Sequence, residues 1–197
     1  TPSAKKTGFK LWAPTARQVA VCTYDGPTGK ANAVHAMTFD EKTGAWATSL
    51  PRDLSGAYYK YAVDVVVPGA GLVRNLVTDP YSVSLNADSK RSYVADLDAP
   101  HLKPRGWDDT RPPATVQAPT DMVIYELHVR DFSLIDATVP AAKRGKYTAF
   151  SETGSNGMKH LRALAKAGLT DVHLLPVYDI GSIPEVGCAT PQPTGAP

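Results

Sequence analysis

The sequence predicts two parts of different class, an all-β sandwich followed by an α/β segment that builds a parallel sheet or a (β/α) barrel. Short apolar runs bounded by turn residues fill residues 8 to 96 without a helix-period stretch, which is typical of a sandwich. Further on, an alternating run, an amphipathic stretch and a second apolar run follow one another in the order strand, helix, strand.

The strands of the first part are predicted from alternating runs that stop at turn residues such as Asp25-Gly26-Pro27 and Pro68-Gly69. They are Phe9–Trp12, Val19–Tyr24, Val34–Phe39, Trp46–Leu50 and Tyr58–Val67. Trp12 lies in a strand pattern beside Pro14, so we expect its indole to be a core group.

Residues 98 to 120 are rich in proline and charge. Proline fixes φ and removes a backbone donor, so this stretch is predicted to be a stiff connector between two domains.

The whole chain has 197 residues, a net charge of +2 and 20% charged residues, which gives no electrostatic case for nucleic acid or a membrane surface. No apolar run approaches the roughly 20 residues of a membrane span. Thr1 in place of Met is expected of a mature product or a fragment.

The second part opens on the ten-residue run Val123–Phe132, which alternates as a strand does. Glu126, His128 and Arg130 share its polar face and are predicted to form an ion network, because singly buried charges are costly. Ser155 or Asn156 is expected to cap a helix that ends at Gly168. Its apolar stripe comprises Met158, Leu161, Leu164 and Ala165, and the second strand is predicted at Val172–Tyr178.

The two cysteines have different surroundings. Cys22 lies in an apolar strand pattern and is expected to be a small buried hydrophobe. Cys188 lies in a Gly/Pro-rich tail, where we expect it to pair outside this chain; the sequence leaves one disulfide between the two cysteines open.

Several motifs resemble a known family. Tyr125–Ser133 resembles the first barrel strand of pullulanases and limit dextrinases, the debranching branch of the alpha-amylase family. Gly154–Gly157 with Lys159–Leu161, and Leu174–Val177, are similar to that family's first helix and second strand. The first part is similar to the starch-binding-type module that precedes the barrel in debranching and branching enzymes, on the residues Phe9–Ala16, Trp46, Gly56–Tyr61 and Thr78–Ser82.

The resemblance implies a domain order and an activity. Residues 1–97 would be an immunoglobulin-like β-sandwich of starch- or glycogen-binding type, 98–120 a linker, and 121–197 the incomplete start of a catalytic (β/α)8 TIM barrel. The implied reaction is retaining hydrolysis of α-1,6-glucosidic linkages in pullulan, branched dextrins, starch or glycogen. The nucleophile and acid of that family lie on later strands, so no catalytic residue is expected in this chain.

Candidate substrate contacts follow from the same resemblance. Asp131 and Phe132 end the first barrel strand, and Tyr178 and Asp179 end the second, on the face where barrels carry their active sites. Trp46 and Tyr59 are expected either to stack on a glucose ring or to pack across strands. The basic loop Lys143–Tyr147 either meets a polyhydroxyl substrate or is simply solvated.

The expected partners are an α-glucan polysaccharide or branched oligosaccharide and the remainder of the same protein, because two strands cannot close a barrel. No cofactor is expected. Some members of the resembled family bind calcium, which leaves a calcium ion open by resemblance, but this sequence contains no recognisable set of calcium ligands. Because branched glucans are usually met outside the cell, we expect a secreted or periplasmic protein. If the substrate is storage glycogen, which is intracellular, we expect a cytoplasmic protein. The alternatives are a non-catalytic α-glucan-binding module and an isoamylase or branching enzyme of the same family.

Overall fold

The computed structural model describes residues 2–3, 5–111, 113, 116–178, 181 and 183–187. They fall into two compact units, one from the described part of Thr1–Trp107 with Gly181–Pro197, and one from the described part of Asp108–Ile180. No helix among these residues is long and apolar enough to cross a membrane.

The strands are β1 (Pro2–Ser3), β2 (Lys6–Trp12), β3 (Gln18–Tyr24), β4 (Ala33–Ala36), β5 (Thr38–Asp40), β6 (Ala45–Leu50), β7 (Tyr58–Val67), β8 (Gly71–Val77), β9 (Ser92–Tyr93), β10 (Ile124–Leu127) and β11 (Asp171–Leu174). The α-helices are α1 (Val129–Ser133) and α2 (Asn156–Lys166). Short 3-10 helices lie at Ala87–Ser89, Pro100–Leu102, Pro119–Asp121, Ala141–Lys143 and Tyr147–Ser151.

The first unit contains two antiparallel sheets, as the sequence predicts for a β-sandwich. Sheet 1 has the order β1-β2-β6-β5, and sheet 2 has the order β4-β3-β7-β8 with β9 also paired to β7. One core is built from both sheets: Phe9 and Leu11 come from sheet 1, and Val19, Val21 and Tyr61 from sheet 2. Burial of alternate side chains on facing sheets is the main source of stability in this architecture.

The strand predicted at Val34–Phe39 is wrong as one element. The chain changes sheets at the buried Met37, so that β4 pairs with β3 in sheet 2 and β5 pairs with β6 in sheet 1. The Met37 N–H donates to the Val19 carbonyl (3.0 Å), which holds the crossing point. The sequence also missed β8, because no residue of that strand is buried and its apolar side chains do not alternate with burial.

Trp12 is not the core residue that the sequence predicts. Leu11 takes the inward position of β2, so Trp12 points to the outer face of sheet 1 and is 63% exposed. Its indole Nε1 would lie 3.2 Å from a β-carbon at Gly44. Gly44 has φ +71°, a left-handed conformation that suits glycine, and therefore lets the 40–44 turn approach the indole closely.

The second unit has the predicted order of strand, helix and strand. β10 pairs in parallel with β11, from Ile124 opposite Asp171 to Leu127 opposite Leu174. Between them lies α2, which Ser155 caps through a hydroxyl that accepts from the Met158 N–H (3.3 Å). Gly168 follows with φ +109°, as expected for a helix stop.

Both strands are shorter than the sequence predicts: the first ends at Leu127 and the second at Leu174. The first ends at Leu127, because His128 caps the short helix α1 by accepting at Nδ1 from the Asp131 N–H (3.4 Å). Arg130 therefore lies on a helix and does not share a strand face with Glu126. The predicted ion network divides: Glu126 contacts His173 on β11 (3.0 Å), while His128 and Arg130 lie 3.7 and 3.4 Å from the Asp131 carboxylate.

We predict that Gly44→Ala destabilises the sandwich by about 1–3 kcal/mol, because an alanine would be held at positive φ with its β-carbon 3.0 Å from that of Pro14. Gly26→Ala is the matched control, since a β-carbon there meets only the Thr28 carbonyl at 4.0 Å. Urea unfolding followed by tryptophan fluorescence measures both. Equal midpoints for the two variants would contradict the assigned turn.

Candidate functional site

The first pair of predicted substrate residues has two different environments. Asp131, on α1, has a 67% exposed side chain beside His128 and Arg130. Phe132 instead stacks on Phe150, with ring centroids 4.5 Å apart and an interplanar angle of 4°. Asp131 is therefore accessible to a ligand, whereas the Phe132 ring is a packing group.

The second pair lies beyond β11. Tyr178 is exposed. Asp179 lies outside the described residues. The structure thus brings Asp131 and Tyr178 to the segments that follow β10 and β11, which are neighbouring parallel strands whose carboxyl ends face the same way.

The basic loop is largely held by its own segment. The Lys143 ammonium donates to the Glu152 carboxylate. The Arg144 guanidinium donates to the Val139 carbonyl (2.8 Å) and the Ala137 carbonyl (3.3 Å). Lys146 and Tyr147 remain exposed. These contacts give Lys143 and Arg144 a structural task in ordering the loop.

Asp136 organises this loop, and the sequence reasoning missed it. Its carboxylate accepts from the Thr138 N–H (2.9 Å) and hydroxyl, and from the N–H of Gly157 at the start of α2 (3.2 Å). The Thr138 hydroxyl in turn accepts from the Asn156 N–H (2.9 Å). The Thr138 hydroxyl is the main cause that lowers the pKa of Asp136, and the backbone donors add to it. The Asp-x-Thr turn pattern was the available signal.

Trp46 and Tyr59 are core residues, each 8% exposed. The Trp46 indole packs against Phe39 (5.0 Å) and donates to the Ala13 carbonyl (3.0 Å). The Tyr59 ring meets Phe9 edge-on at 5.1 Å. Both rings are therefore packing groups of the core: Trp46 packs across strands against Phe39, and Tyr59 packs against Phe9 of the other sheet.

Two tyrosine hydroxyls converge on Asp79. The Tyr59 hydroxyl donates to Asp79 Oδ2 (2.7 Å), and the Tyr61 hydroxyl lies 3.5 Å from the same oxygen and 3.3 Å from the Lys10 carbonyl. Burial is the main cause that raises the pKa of both phenols, with Asp79 adding to it. Asp79 thus fixes the segment before Tyr81 against the core; its Oδ1 also accepts from the Tyr81 N–H (2.8 Å).

A groove of about 880 Å³ opens on the first unit. Its lining includes Gly8 and Lys10 of β2, Ala47 and Ser49 of β6, and the exposed Tyr81. The sequence does not predict this groove, because its lining joins β2 and β6 with residues between 79 and 98, which are distant from them in the sequence.

Cys22 is a buried free thiol, as predicted for a small hydrophobe, and burial is the main cause that raises its pKa. Cys188 lies outside the described residues. Among the residues that the structure describes, no group of three or more His, Cys, Asp or Glu side chains is arranged to hold a metal ion, so we assign no calcium ligand.

The sandwich strands up to β8 and the turn that follows match the family described as carbohydrate-binding module 48 (Isoamylase N-terminal domain), over residues 1–82. Residues 1–82 are thus similar to a carbohydrate-binding module of family 48. The matched segment contains Trp12 and most of the two-sheet core, whereas Val94 of the core and part of the groove lining lie beyond it.

The similarity to curated proteins extends past the module. Pullulanase of Klebsiella pneumoniae is 44% identical over 181 residues, which are 90% of this chain and 16% of that protein. The chloroplastic pullulanase 1 of Arabidopsis thaliana is 41% identical over 88% of this chain and 18% of its own length. The chain therefore spans less than a fifth of these relatives.

Solved structures agree with the sequence relatives. The crystal structure of Klebsiella pneumoniae pullulanase complexed with maltotriose superposes with a TM-score of 0.86 and 40% identity, over 94% of this chain and 18% of that one. A mutant pullulanase from Paenibacillus barengoltzii complexed with maltotetraose gives a TM-score of 0.77 and 33% identity, over 91% of this chain and 27% of that one. The chain is similar to one part of these enzymes.

We predict that Gly157→Ala loosens α2, because its β-carbon would lie 2.7 Å from Phe132 Cζ, and that ring is held by Phe150. Overpacking costs about 1–3 kcal/mol and opposes the gain, at most about 1 kcal/mol, from replacing a helical glycine, so we expect a net loss. Gly154→Ala, where a β-carbon meets nothing within 4 Å, is the control. Hydrogen exchange of the α2 amides reports the local effect; faster exchange in neither variant would refute the contact.

We predict that Asp136 stabilises the second unit at neutral pH and ceases to do so in acid. Its pKa is lowered in the folded protein, so the stabilisation is present above the ordinary carboxyl pKa of about 3.9 and is lost as the pH falls through the lowered value. Asp136→Asn should remove this acid-dependent loss, and Thr138→Val should shift it to higher pH. Unfolding followed by circular dichroism between about pH 6 and pH 2 tests this; an unchanged acid limb in Asp136→Asn would contradict it.

Proposed function

We propose that this chain is the N-terminal portion of a pullulanase-type debranching enzyme, which hydrolyses α-1,6-glucosidic linkages in pullulan, branched dextrins, starch or glycogen. The observation that carries the proposal is the order of a family-48 module followed by a parallel strand–helix–strand unit, together with 44% identity to a pullulanase across both.

The parallel pair supports the start of a (β/α)8 barrel in the second unit. Ile124, Val172 and Leu174 are exposed on the two strands, which is unfavourable for a sheet that stands alone. Further parallel strands would pair with the open edges of β10 and β11, and closure into a barrel with its outer helices would cover these side chains. We therefore propose that the remainder of the same protein is the structural partner of this unit.

The proposed reaction is a double displacement with retention. Such enzymes place a nucleophilic carboxylate and a general acid about 5–5.5 Å apart, and both would come from later strands of the barrel. The task of this chain in the reaction is substrate positioning. Asp131, Tyr178 and Asp179 follow the carboxyl ends of the first two strands, the face on which barrels bind substrates.

The proposed partner of the whole protein is an α-glucan polysaccharide or branched oligosaccharide. We place the enzyme in a secreted or periplasmic compartment on the argument that branched glucans are met outside the cell. The cytoplasm is the alternative if storage glycogen is the substrate.

A non-catalytic α-glucan-binding protein is the second candidate, favoured by the match of residues 1–82 to a carbohydrate-binding module. An isoamylase is a third, since an isoamylase of a Flavobacterium species is 28% identical over 87% of this chain. The order His128-Val129-Arg130-Asp131-Phe132 favours the debranching branch over branching enzymes.

The deciding experiment is incubation of the purified whole protein with pullulan, followed by product chromatography. We expect maltotriose, because cleavage at α-1,6 bonds divides pullulan into maltotriose units. Long linear chains from glycogen with intact pullulan would assign the protein to the isoamylases. The absence of new reducing ends from both substrates would leave only the binding protein.

A further inference from the structure

The first turn of α2 contains a chemically reactive pair, Asn156 followed by Gly157. No other asparagine of the chain precedes a glycine. Asparagine is a thermolabile residue. Its side-chain amide is most open to attack by the next backbone nitrogen where the next residue is glycine, because glycine has no side chain and the widest backbone freedom. Asn156 is also exposed, so the water that the reaction consumes can reach it.

The reaction is a deamidation. The Gly157 backbone nitrogen bonds to Asn156 Cγ and gives up its proton, the Cγ–Nδ2 bond breaks, and ammonia leaves with that proton. Water then opens the resulting cyclic imide: its oxygen bonds to one ring carbonyl carbon, and the bond from that carbon to the Gly157 nitrogen breaks as the nitrogen regains a proton. The product is aspartate or isoaspartate. Because a carboxyl group is ionised at neutral pH, a neutral amide becomes an anion.

Packing requires the glycine that makes this pair reactive. A β-carbon at residue 157 would lie 2.7 Å from Phe132 Cζ, and the Phe132 ring is stacked on Phe150 with centroids 4.5 Å apart. A larger residue would have to displace this pair of rings. The fold therefore retains a glycine after Asn156, and the rate of the reaction depends on how the surrounding groups hold the pair.

Asp136 holds both reacting groups. The Gly157 N–H donates to Asp136 Oδ2 (3.2 Å), and the Asn156 side-chain amide donates to Asp136 Oδ1 (3.4 Å). Loss of the Gly157 proton and formation of the tetrahedral intermediate at Cγ would each place negative charge beside this carboxylate, and like charges repel. The Thr138 hydroxyl is the main cause that lowers the pKa of Asp136, so the carboxylate is charged at neutral pH.

The helical backbone adds a second restraint. α2 begins at Asn156, whose N–H donates to the Thr138 hydroxyl (2.9 Å). Helical residues have ψ of about −42°, which turns the next backbone nitrogen away from the side chain of the residue before it. The first turn of α2 must therefore open before the Gly157 nitrogen can reach Cγ, and the hydrogen bonds of Asp136 and Thr138 oppose that opening.

We propose that Asn156–Gly157 is a deamidation site that Asp136 guards, and that its conversion releases the start of α2. Either product replaces an amide donor with a carboxylate beside Asp136, so the two anions repel and the Gly157 N–H loses its restraint. Isoaspartate also lengthens the backbone within the first helical turn. Because α2 is the crossover between β10 and β11, the conversion loosens the second unit irreversibly.

The test is incubation of the whole folded protein at mildly alkaline pH, followed by tryptic peptide mapping with mass spectrometry. Cleavage after Lys146 and Lys159 isolates Asn156 from every other asparagine and from residue 136. The mass gained when an amide becomes a carboxyl group measures conversion, and chromatography separates isoaspartate from aspartate. We expect the folded wild type to convert at least about tenfold more slowly than the wild type unfolded in urea, because opening the turn breaks a hydrogen bond to a charged group.

Asp136→Asn should accelerate conversion of Asn156 in the folded protein about tenfold, the effect of losing one hydrogen bond to a charged group. Thr138→Val keeps the carboxylate and should accelerate conversion by a smaller factor; it is the second variant if Asp136→Asn does not fold. Thr170→Val is the matched control, because it removes the hydroxyl that accepts from the Val123 N–H (2.8 Å) and so weakens the same unit without changing Asp136. Its rate should stay near that of the wild type.

Asn156→Asp imitates one product of the reaction. We expect its α2 amides to exchange hydrogen faster than those of the wild type, whereas Asn156→Gln keeps an uncharged amide and should exchange as the wild type does. Equal exchange in Asn156→Asp and the wild type would refute the release of the helix.

Three outcomes would overturn the guarding role of Asp136. The first is conversion of the folded wild type as fast as in urea, and the second is a wild-type rate in Asp136→Asn. The third is equal acceleration in Thr170→Val and Asp136→Asn, which would assign the effect to lost stability alone. Slower conversion in Asp136→Asn would also contradict the proposal, because it would make the carboxylate a base for the Gly157 N–H.

Discussion

Parallel pairing between β10 and β11 constrains the second unit, because parallel neighbours cannot be joined by a hairpin and need a crossover. The chain supplies α2 as that crossover, and the loop before it is tied to the helix by Asp136 and Thr138. The same geometry sends the carboxyl ends of both strands in one direction. Asp131 and Tyr178 follow those ends, so the proposed substrate role of this unit depends on the pairing.

In the sandwich, the alternation of side chains along each strand decides which aromatic rings lie in the core and which lie on the surface. Leu11 and Trp46 face each other on the inner side of sheet 1, and Trp12 faces outward beside Ala45. Because side chains alternate along a strand, these assignments cannot be exchanged without turning the whole strand over. The sandwich therefore buries Trp46 and Tyr59 in its core and leaves Trp12 exposed on its surface.

The sequence was sufficient for the sandwich, the capped helix and the strand–helix–strand order, because burial periodicity and turn residues specify them locally. It was insufficient where local pattern and tertiary pairing diverge. Val34–Phe39 alternates as one strand, but Met37 moves between sheets; Val123–Phe132 also alternates, but His128 caps a helix within it. The inward or outward position of Trp12 and Trp46 depends on register, which a single sequence does not contain.

The central claim is that β10 and β11 are the opening strands of a larger parallel sheet. Hydrogen exchange at the amides of Ile124–Leu127 and Asp171–Leu174 tests it most directly, by comparing the 197-residue chain alone with the intact longer protein proposed above. The account predicts slow exchange in the intact protein and faster exchange in the isolated chain, with the amides of β3 and β7 equally protected in both. Equal exchange at β10 and β11 in the two samples would contradict it.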